Sequence, residues 1–220
     1  MNSPILQLLV LAGIAVFLIL RLRNVLGTRE GFEKPPVANE EPRQMPRDHG
    51  FEVIEGGPDP DITDHVAEDS PAARALAEMK AVEPSFNVTE FLAGARGAYE
   101  MILMGFERGD LAEIKPFLDQ EVYASFAEVV EARERDGLKI EAEFVGVRDM
   151  KLIDVNFYPQ DNLAELTVRF TGQLTSVVRD RAGEIIEGVP GEIKTQRDSW
   201  TFARHMGEDD PNWQLVATGE

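Results

Sequence analysis

Leu166-Thr-Val-Arg-Phe-Thr-Gly-Gln-Leu-Thr175 alternates without a break: Leu166, Val168, Phe170, Gly172 and Leu174 are apolar or small, and Thr167, Arg169, Thr171, Gln173 and Thr175 are polar. A period of two predicts a strand with one face on a core and one face in water, the pattern of an antiparallel sheet. The preceding run, Ala142 to Phe157, is apolar in shifting phase: Val145 and Val147 are odd, Met150 and Leu152 even, and Ile153, Val155 and Phe157 odd again. A long, bent strand with a bulge accounts for such a shift, because one extra residue flips the side chains that follow. Turn sequences at Pro159-Gln-Asp-Asn162 and Asp180-Arg-Ala-Gly183 separate these strands from two more, Ile193 to Met206 and Trp213 to Thr218.

Upstream of Asp136-Gly137 the period is near 3.6. Asn87 is placed to cap a helix, Glu90 follows three residues on as in a capping box, and Phe86 can staple to Phe91. Val88, Phe91, Leu92, Ala95, Tyr99, Ile102, Leu103 and Phe106 form one apolar stripe that ends at Gly109. Met101 and Met104 lie off that stripe beside Gly94, Gly97 and Gly105. Interior glycines cost a helix about 1 kcal/mol each, so they are expected to permit close backbone approach. The two methionines are the predicted partner-contact positions, since thioethers adapt to varied surfaces. Pro116 interrupts the next segment, and Asp119 caps a third helix with Val122, Phe126, Val129 and Val130 inward. Helices first and antiparallel strands afterwards predict an α+β domain with its sheet curled around the first long helix.

The amino-terminal third reads differently. Ile5 to Leu20 is an apolar run with a single amide, followed by Arg21 and Arg23. It covers about 24 Å of a hydrocarbon core about 30 Å thick, and snorkelling arginines extend its reach. Positive charge after the run rather than before it argues for an uncleaved anchor over a signal peptide. The positive-inside rule then puts the amino terminus outside and the rest in the cytoplasm, at the inner (plasma) membrane. Residues 29–84 are acidic and punctuated by eight prolines, a composition expected to form a disordered tether with an end-to-end distance of about 40 Å. Within it, Ser70 and Pro71 mark the start of a short helix at 71–82. Phe51-Glu-Val-Ile54 is read as linker. The expected organisation is therefore anchor 1–28, linker 29–84 and globular domain 85–220.

Composition excludes several classes. The chain of 220 residues has a formal net charge of −18 and no cysteine, which removes disulfides, thiolate metal sites and cysteine nucleophiles. Residues 85–220 alone carry −12, so nonspecific nucleic-acid binding is excluded. Three scattered histidines offer no metal set, and Glu208-Asp-Asp210 lacks calcium-loop spacing. There is no phosphate loop, nucleophile elbow or dinucleotide fingerprint, and no cofactor is implied.

Near the carboxyl end, Asp198-Ser-Trp-Thr-Phe-Ala-Arg204 followed by Asp210-Pro-Asn-Trp-Gln-Leu-Val-Ala-Thr218, with Gly188-Val-Pro-Gly191 before them, resembles the closing signature of the Tim44-like domain family. The resemblance covers residues 85–220. It implies a cone like that of nuclear transport factor two, with helices packed in a strongly bent antiparallel sheet around an apolar cavity. It also implies a noncatalytic adaptor whose partner is a translocase, a chaperone or a ribosome. Enzymes on such cones use an Asp or His base with a Tyr donor, and the cavity-lining candidates here are Tyr99, Phe170, Asp198, Trp200 and Phe202. Asp198 shares parity with Trp200, Phe202 and Arg204, which turns it inward, but a surface pairing with Arg197 or Arg204 is the favoured reading. Trp200 and Trp213 are read first as core. Two functions remain: a membrane-tethered scaffold serving protein translocation or membrane-protein quality control, and a cavity that binds a lipid or small apolar ligand.

Overall fold

The long apolar stripe forms the helix at the centre of the domain. A computed structural model describes residues 58–219, and Val88–Arg108 is helical throughout (α3). Asn87 Oδ1 accepts a hydrogen bond from Glu90 N at 2.8 Å, Phe86 and Phe91 lie 6.5 Å apart across the cap, and Gly109 closes the helix in the left-handed conformation at φ 80°. Among the described residues, two helices precede it, α1 (Pro60–Thr63) and α2 (Pro71–Val82). Behind it, α4 (Leu111–Ile114) passes into a 3-10 turn at Lys115–Phe117, where Pro116 prevents continuation. Helix α5 (Gln120–Asp136) then begins at Asp119, whose Oδ1 accepts from Val122 N at 2.7 Å.

Five antiparallel strands follow: β1 (Lys139–Tyr158), β2 (Leu163–Arg179), β3 (Ile185–Glu187), β4 (Ile193–His205) and β5 (Gln214–Gly219). The order across the sheet is β1-β2-β4-β5. Strand β4 pairs with β2 from Leu163 to Thr175, and the short β3 pairs with Val178 and Arg179 beyond it. Strand β3, bracketed by glycines and only three residues long, is an element the periodicity did not predict.

Strand β1 has three irregularities rather than one. Its register against β2 slips between Phe144 and Gly146, between Val147 and Asp149, and between Leu152 and Asp154. Each slip inserts one residue and reverses the parity of those that follow. The side chains packed on the core are accordingly Ala142 and Phe144, then Val147, then Met150 and Leu152, then Val155 and Phe157. The inserted residues are Val145, Arg148 and Ile153; Val145 and Ile153, expected to share the apolar phase, stand 50% and 37% exposed.

The concave side of this bent sheet receives α3. Phe91 meets Phe202 edge to face at 6.1 Å, and Tyr99 stacks on Phe170 at 4.4 Å and 12°. On β2, Ala164, Leu166, Val168 and Phe170 are fully buried. The far end is closed by α5, with Asp119 N donating to Leu215 O at 3.0 Å.

Part of the amino-terminal segment is folded where a disordered linker was expected. Residues 60–82 fall inside the stretch expected to be disordered linker, and the helix expected at 71–82 is present with Ser70 Oγ accepting from Ala73 N. That helix packs against β1, and its Leu76 and Met79 are fully buried in the common core. The prolines and acids around it concealed the fact that its few large or small apolar residues, Ala73, Leu76 and Met79, recur on one helical face. The proposed anchor residues Ile5, Leu20, Arg21 and Arg23, and the segment Phe51 to Ile54, lie outside the described residues. Among the described residues no helix is long and apolar enough to cross a membrane.

Leu76→Ala should lower stability by about 2–5 kcal/mol, as for other buried leucines. A change under about 0.5 kcal/mol in urea unfolding of the full chain would mean that α2 is not part of the cooperative unit.

Candidate functional site

Only one face of α3 is buried. Gly97 and Glu100 lie on its exposed side and Met101 is 36% exposed. Between this side and β1 runs an open groove of about 530 Å³, with Gly97, Met101, Met104, Gly105 and Phe144 on its floor and walls. Glu100, Arg108, Asp110, Glu113 and Glu143 complete the lining, giving four carboxylates to one guanidinium. A second groove of about 430 Å³ adjoins it, sharing Arg108 and Glu143 and running on to Pro190 and Gly191.

The residues predicted as partner contacts are both on this groove but differ in role. Met101 is at its surface, whereas Met104 is 6% exposed and belongs to the core as much as to the groove. The three glycines also divide. A Cβ on Gly105 would come within 2.5 Å of Ile114, so this glycine lets α4 close onto α3. A Cβ on Gly94 or Gly97 would meet nothing within 4 Å. The expectation of close backbone approach therefore fails within the described residues at those two positions, and Gly97 instead leaves a notch in the groove.

The predicted cavity residues converge, and they fill the interior. Tyr99, Phe170, Trp200 and Phe202 are all buried. Tyr99 contacts Phe144, Phe170 and Trp200 at centroid distances of 6.1, 4.4 and 4.7 Å. Its hydroxyl donates to Asp198 Oδ2 at 2.5 Å, and Gln196 Nε2 donates to the same oxygen at 2.8 Å. Asp198 therefore turns inward, and the favoured surface pairing with Arg197 or Arg204 is not what forms. Burial, followed by the hydrogen bond to Asp198 and its charge, pushes the Tyr99 hydroxyl well above the ordinary phenol range, with a hydrogen bond from Gln196 opposing. Tyr99 is thus a fixed donor whose one proton is already committed. Gly172 makes room for it, since a Cβ there would collide with the hydroxyl.

Arg204 is committed elsewhere. Its Nη2 donates to Glu83 Oε1 and Oε2 at 2.8 and 2.9 Å, and its guanidinium lies 5.2 Å from the Trp213 ring centroid. Glu83, at the carboxyl end of α2, also accepts from Gly207 N at 2.9 Å. Burial raises the Glu83 carboxyl pKa, but the hydrogen bonds from Arg204 and Gly207 and the Arg204 charge outweigh it, so the net shift is downward. A second clamp holds α1: Lys80 Nζ lies 2.6 Å from Asp59 and 2.7 Å from Asp61. Asp61 in turn accepts from Val88 N at 2.8 Å and Thr89 N at 3.1 Å, occupying the positive end of α3. Burial opposes ionisation of Asp61, but the Lys80, Val88 and Thr89 hydrogen bonds together bring its pKa down to about 2.

The first of these clamps binds the segment before residue 85 to the sheet, and the second binds it to the start of α3. The family model of the Tim44-like domain matches residues 72–220, beginning inside α2. The chain belongs to this family. Among its relatives, human "Mitochondrial import inner membrane translocase subunit TIM44" is 24% identical over 147 residues, covering 66% of this chain and 32% of the relative. Arabidopsis thaliana "Mitochondrial import inner membrane translocase subunit TIM44-1" is 22% identical over 161 residues, covering 70% and 34%. The chain spans about a third of the length of these curated relatives. Among solved structures, the intermembrane space region of the chloroplast protein ARC6 aligns with a TM-score of 0.40 at 8% identity, over 56% of this chain and 88% of that one.

Sequence reasoning missed Glu83 and Gln196 in this Tim44-like domain, and Asp61 just before it. Glu83 and Asp61 lay in the supposed linker, and their partners are 121 and 27 residues away. Gln196 carried a usable signal, since it shares strand parity with Asp198.

Glu83→Ala should cost about 3–5 kcal/mol, because it leaves Arg204 buried and unpaired; thermal unfolding measures it. Asp61 has its pKa lowered in the folded state, so its contribution is complete above pH about 4 and is lost as pH falls toward 2. Asp61→Asn should flatten the acid limb of the pH–stability curve over that window, and an unchanged limb would count against the clamp.

Proposed function

We propose that this chain is a membrane-tethered, noncatalytic adaptor or scaffold. In this reading the apolar run at 5–20 anchors it, and the Tim44-like domain works at the cytoplasmic face of the inner membrane beside a protein-translocation or membrane-protein quality-control machine. The observation that carries the reading is the open groove along α3. It has the floor of a docking surface, with Gly97, Met101, Met104 and Phe144 along a rigid helix and strand, and it lies in a domain whose curated relatives are named as import translocase subunits.

The interior supports the same side. A base and donor working in a cavity need a free proton path and space for a substrate. Here the Tyr99 hydroxyl is held by Asp198, and the aromatic rings that would line a cavity pack on one another. Within the described residues, neither groove is lined by Asp198.

Proximity labelling from the carboxyl terminus in native membranes, comparing the full chain with one lacking residues 1–28, tests the reading. Anchor-dependent enrichment of translocase, chaperone or ribosomal proteins is expected. Met101→Glu, at an exposed position, should remove that enrichment with stability unchanged within about 0.5 kcal/mol. Absence of protein enrichment, with lipid or metabolite retained on the purified chain, would overturn it.

A further inference from the structure

Strand β1 is an outermost strand of the sheet: among the described residues β2 lies along one of its edges and no strand along the other. An open edge presents a row of unpaired N–H and C=O groups, and natural sheets blunt it with bulges, charges or a covering element. From Val145 onward β1 is blunted in this way, since its register slips three times and Arg96 of α3 donates to Val147 O at 2.8 Å. The stretch before the first slip, Lys139 to Phe144, is regular. Its inward side chains Ile140, Ala142 and Phe144 stay partly exposed, although Leu174, opposite Phe144 on β2, is 3% exposed. Apolar surface is left uncovered along this piece of edge.

Lys139, Glu141 and Glu143 stand exposed on its outward face. Glu141 Oε2 accepts from Arg179 Nε at 3.1 Å, whereas among the described residues neither Lys139 nor Glu143 is in an ion pair. This order of charges is its own complement. When two identical edges pair antiparallel, side chains meet on the same face only if the two-fold axis passes between a residue and its own copy. An axis at Glu141 sets Lys139 of each copy opposite Glu143 of the other and Ile140 opposite Ala142, while each central glutamate keeps its own Arg179. An axis at Ala142 would instead set Glu141 against Glu143 twice and carry the pairing into the inserted Val145. Opposite charges directly across a strand pair stabilise it and like charges oppose it, so one register is selected.

We propose that the first residues of β1 are a self-association edge: a second copy of this chain pairs with Lys139 to Glu143 antiparallel about an axis at Glu141, joining the two sheets into one. Five paired residues span about 17 Å, a short contact that gives a weak dimer whose population rises with concentration. Glu143 borders both grooves, so the axis stands beside them, but the pairing does not depend on what the grooves bind.

The test uses the full-length chain in detergent. Since it has no cysteine, an introduced thiol can pair only with its own copy. Glu141→Cys should oxidise to a disulfide-linked dimer, because directly opposed Cα atoms lie about 5 Å apart, within disulfide reach. Glu143→Cys should not, because its copy would be about 14 Å away. In sedimentation equilibrium, Lys139→Glu and Glu143→Lys should each weaken the dimer about tenfold, and combining them should restore it, since the opposed charges are exchanged. Both positions are exposed, so the unfolding temperature should stay in place. A monomer at every concentration, equal cross-linking from positions 141 and 143, or failure of the combined variant to recover would each overturn the proposal. Association through the amino-terminal apolar run would leave both single variants as dimeric as the parent chain, and that result would overturn it too.

Discussion

Everything in this domain depends on bending one antiparallel sheet far enough to hold a helix of 21 residues in its concave face. A sheet twists by its own sterics, but enclosing a helix needs curvature concentrated at particular places. The three register slips of β1 supply it. Each extra residue bends the strand and reverses which side chains face inward, and the sequence places apolar residues in the matching phase after every slip. The inserted residues are left facing outward, which explains exposed Val145 and Ile153 in an otherwise well-packed strand. Remove the bulges, and the apolar set that grips α3 would be split between two faces of the sheet.

Once the sheet is curved, the helix is fixed by polar contacts as specific as the packing. Asp61 and Asn87 together occupy the amino-terminal N–H groups of α3. Tyr99, halfway along, reaches across the core to Asp198 on β4 through space left by Gly172. Glu83 joins the end of α2 to Arg204 and Gly207 at the far end of β4. A buried polar group without a partner costs about 1–3 kcal/mol, so each of these pairs disfavours any packing in which α3 is shifted along its axis. Rotation and register of the helix are therefore set, and with them the side that remains open.

Local features were legible because they are written in neighbouring residues. Asn87, Asp119, Gly109 and Pro116 each act within four positions, and the helix limits they imply are those that form. The alternation from Leu166 to Thr175 was equally direct. Strand β1 was half legible, since a parity shift reveals that a bulge exists without giving its number or position. What escaped the sequence was decided by partners far along the chain. The acidic stretch before residue 85 looked too polar to fold. Its described part, residues 58–84, folds because Leu76 and Met79 find a surface on β1 and the core, and because its acids find Arg204 and the end of α3. Asp198 shows the same limit from the other side: parity allowed it to face inward, but only the position of Tyr99 on a distant helix decided that it would.

The contrast between inside and outside bears on what such a domain can do. Its interior polar group is paired and enclosed by aromatic rings, and its wall positions are occupied by side chains that need one another to be satisfied. The outer side of α3 is the reverse, with two glycines where an added Cβ would meet open space, a partly exposed methionine, and carboxylates surrounding an apolar floor. A helix interior with unfilled glycines is less stable than one with alanines by about 1 kcal/mol at each position, and no contact within the described domain compensates for it at Gly94 or Gly97. Under the proposed adaptor role, contacts with a partner chain would offset that deficit. Stability in this domain is thus concentrated where the helix meets the sheet, and the free side of the same helix is left with apolar surface and charge to offer.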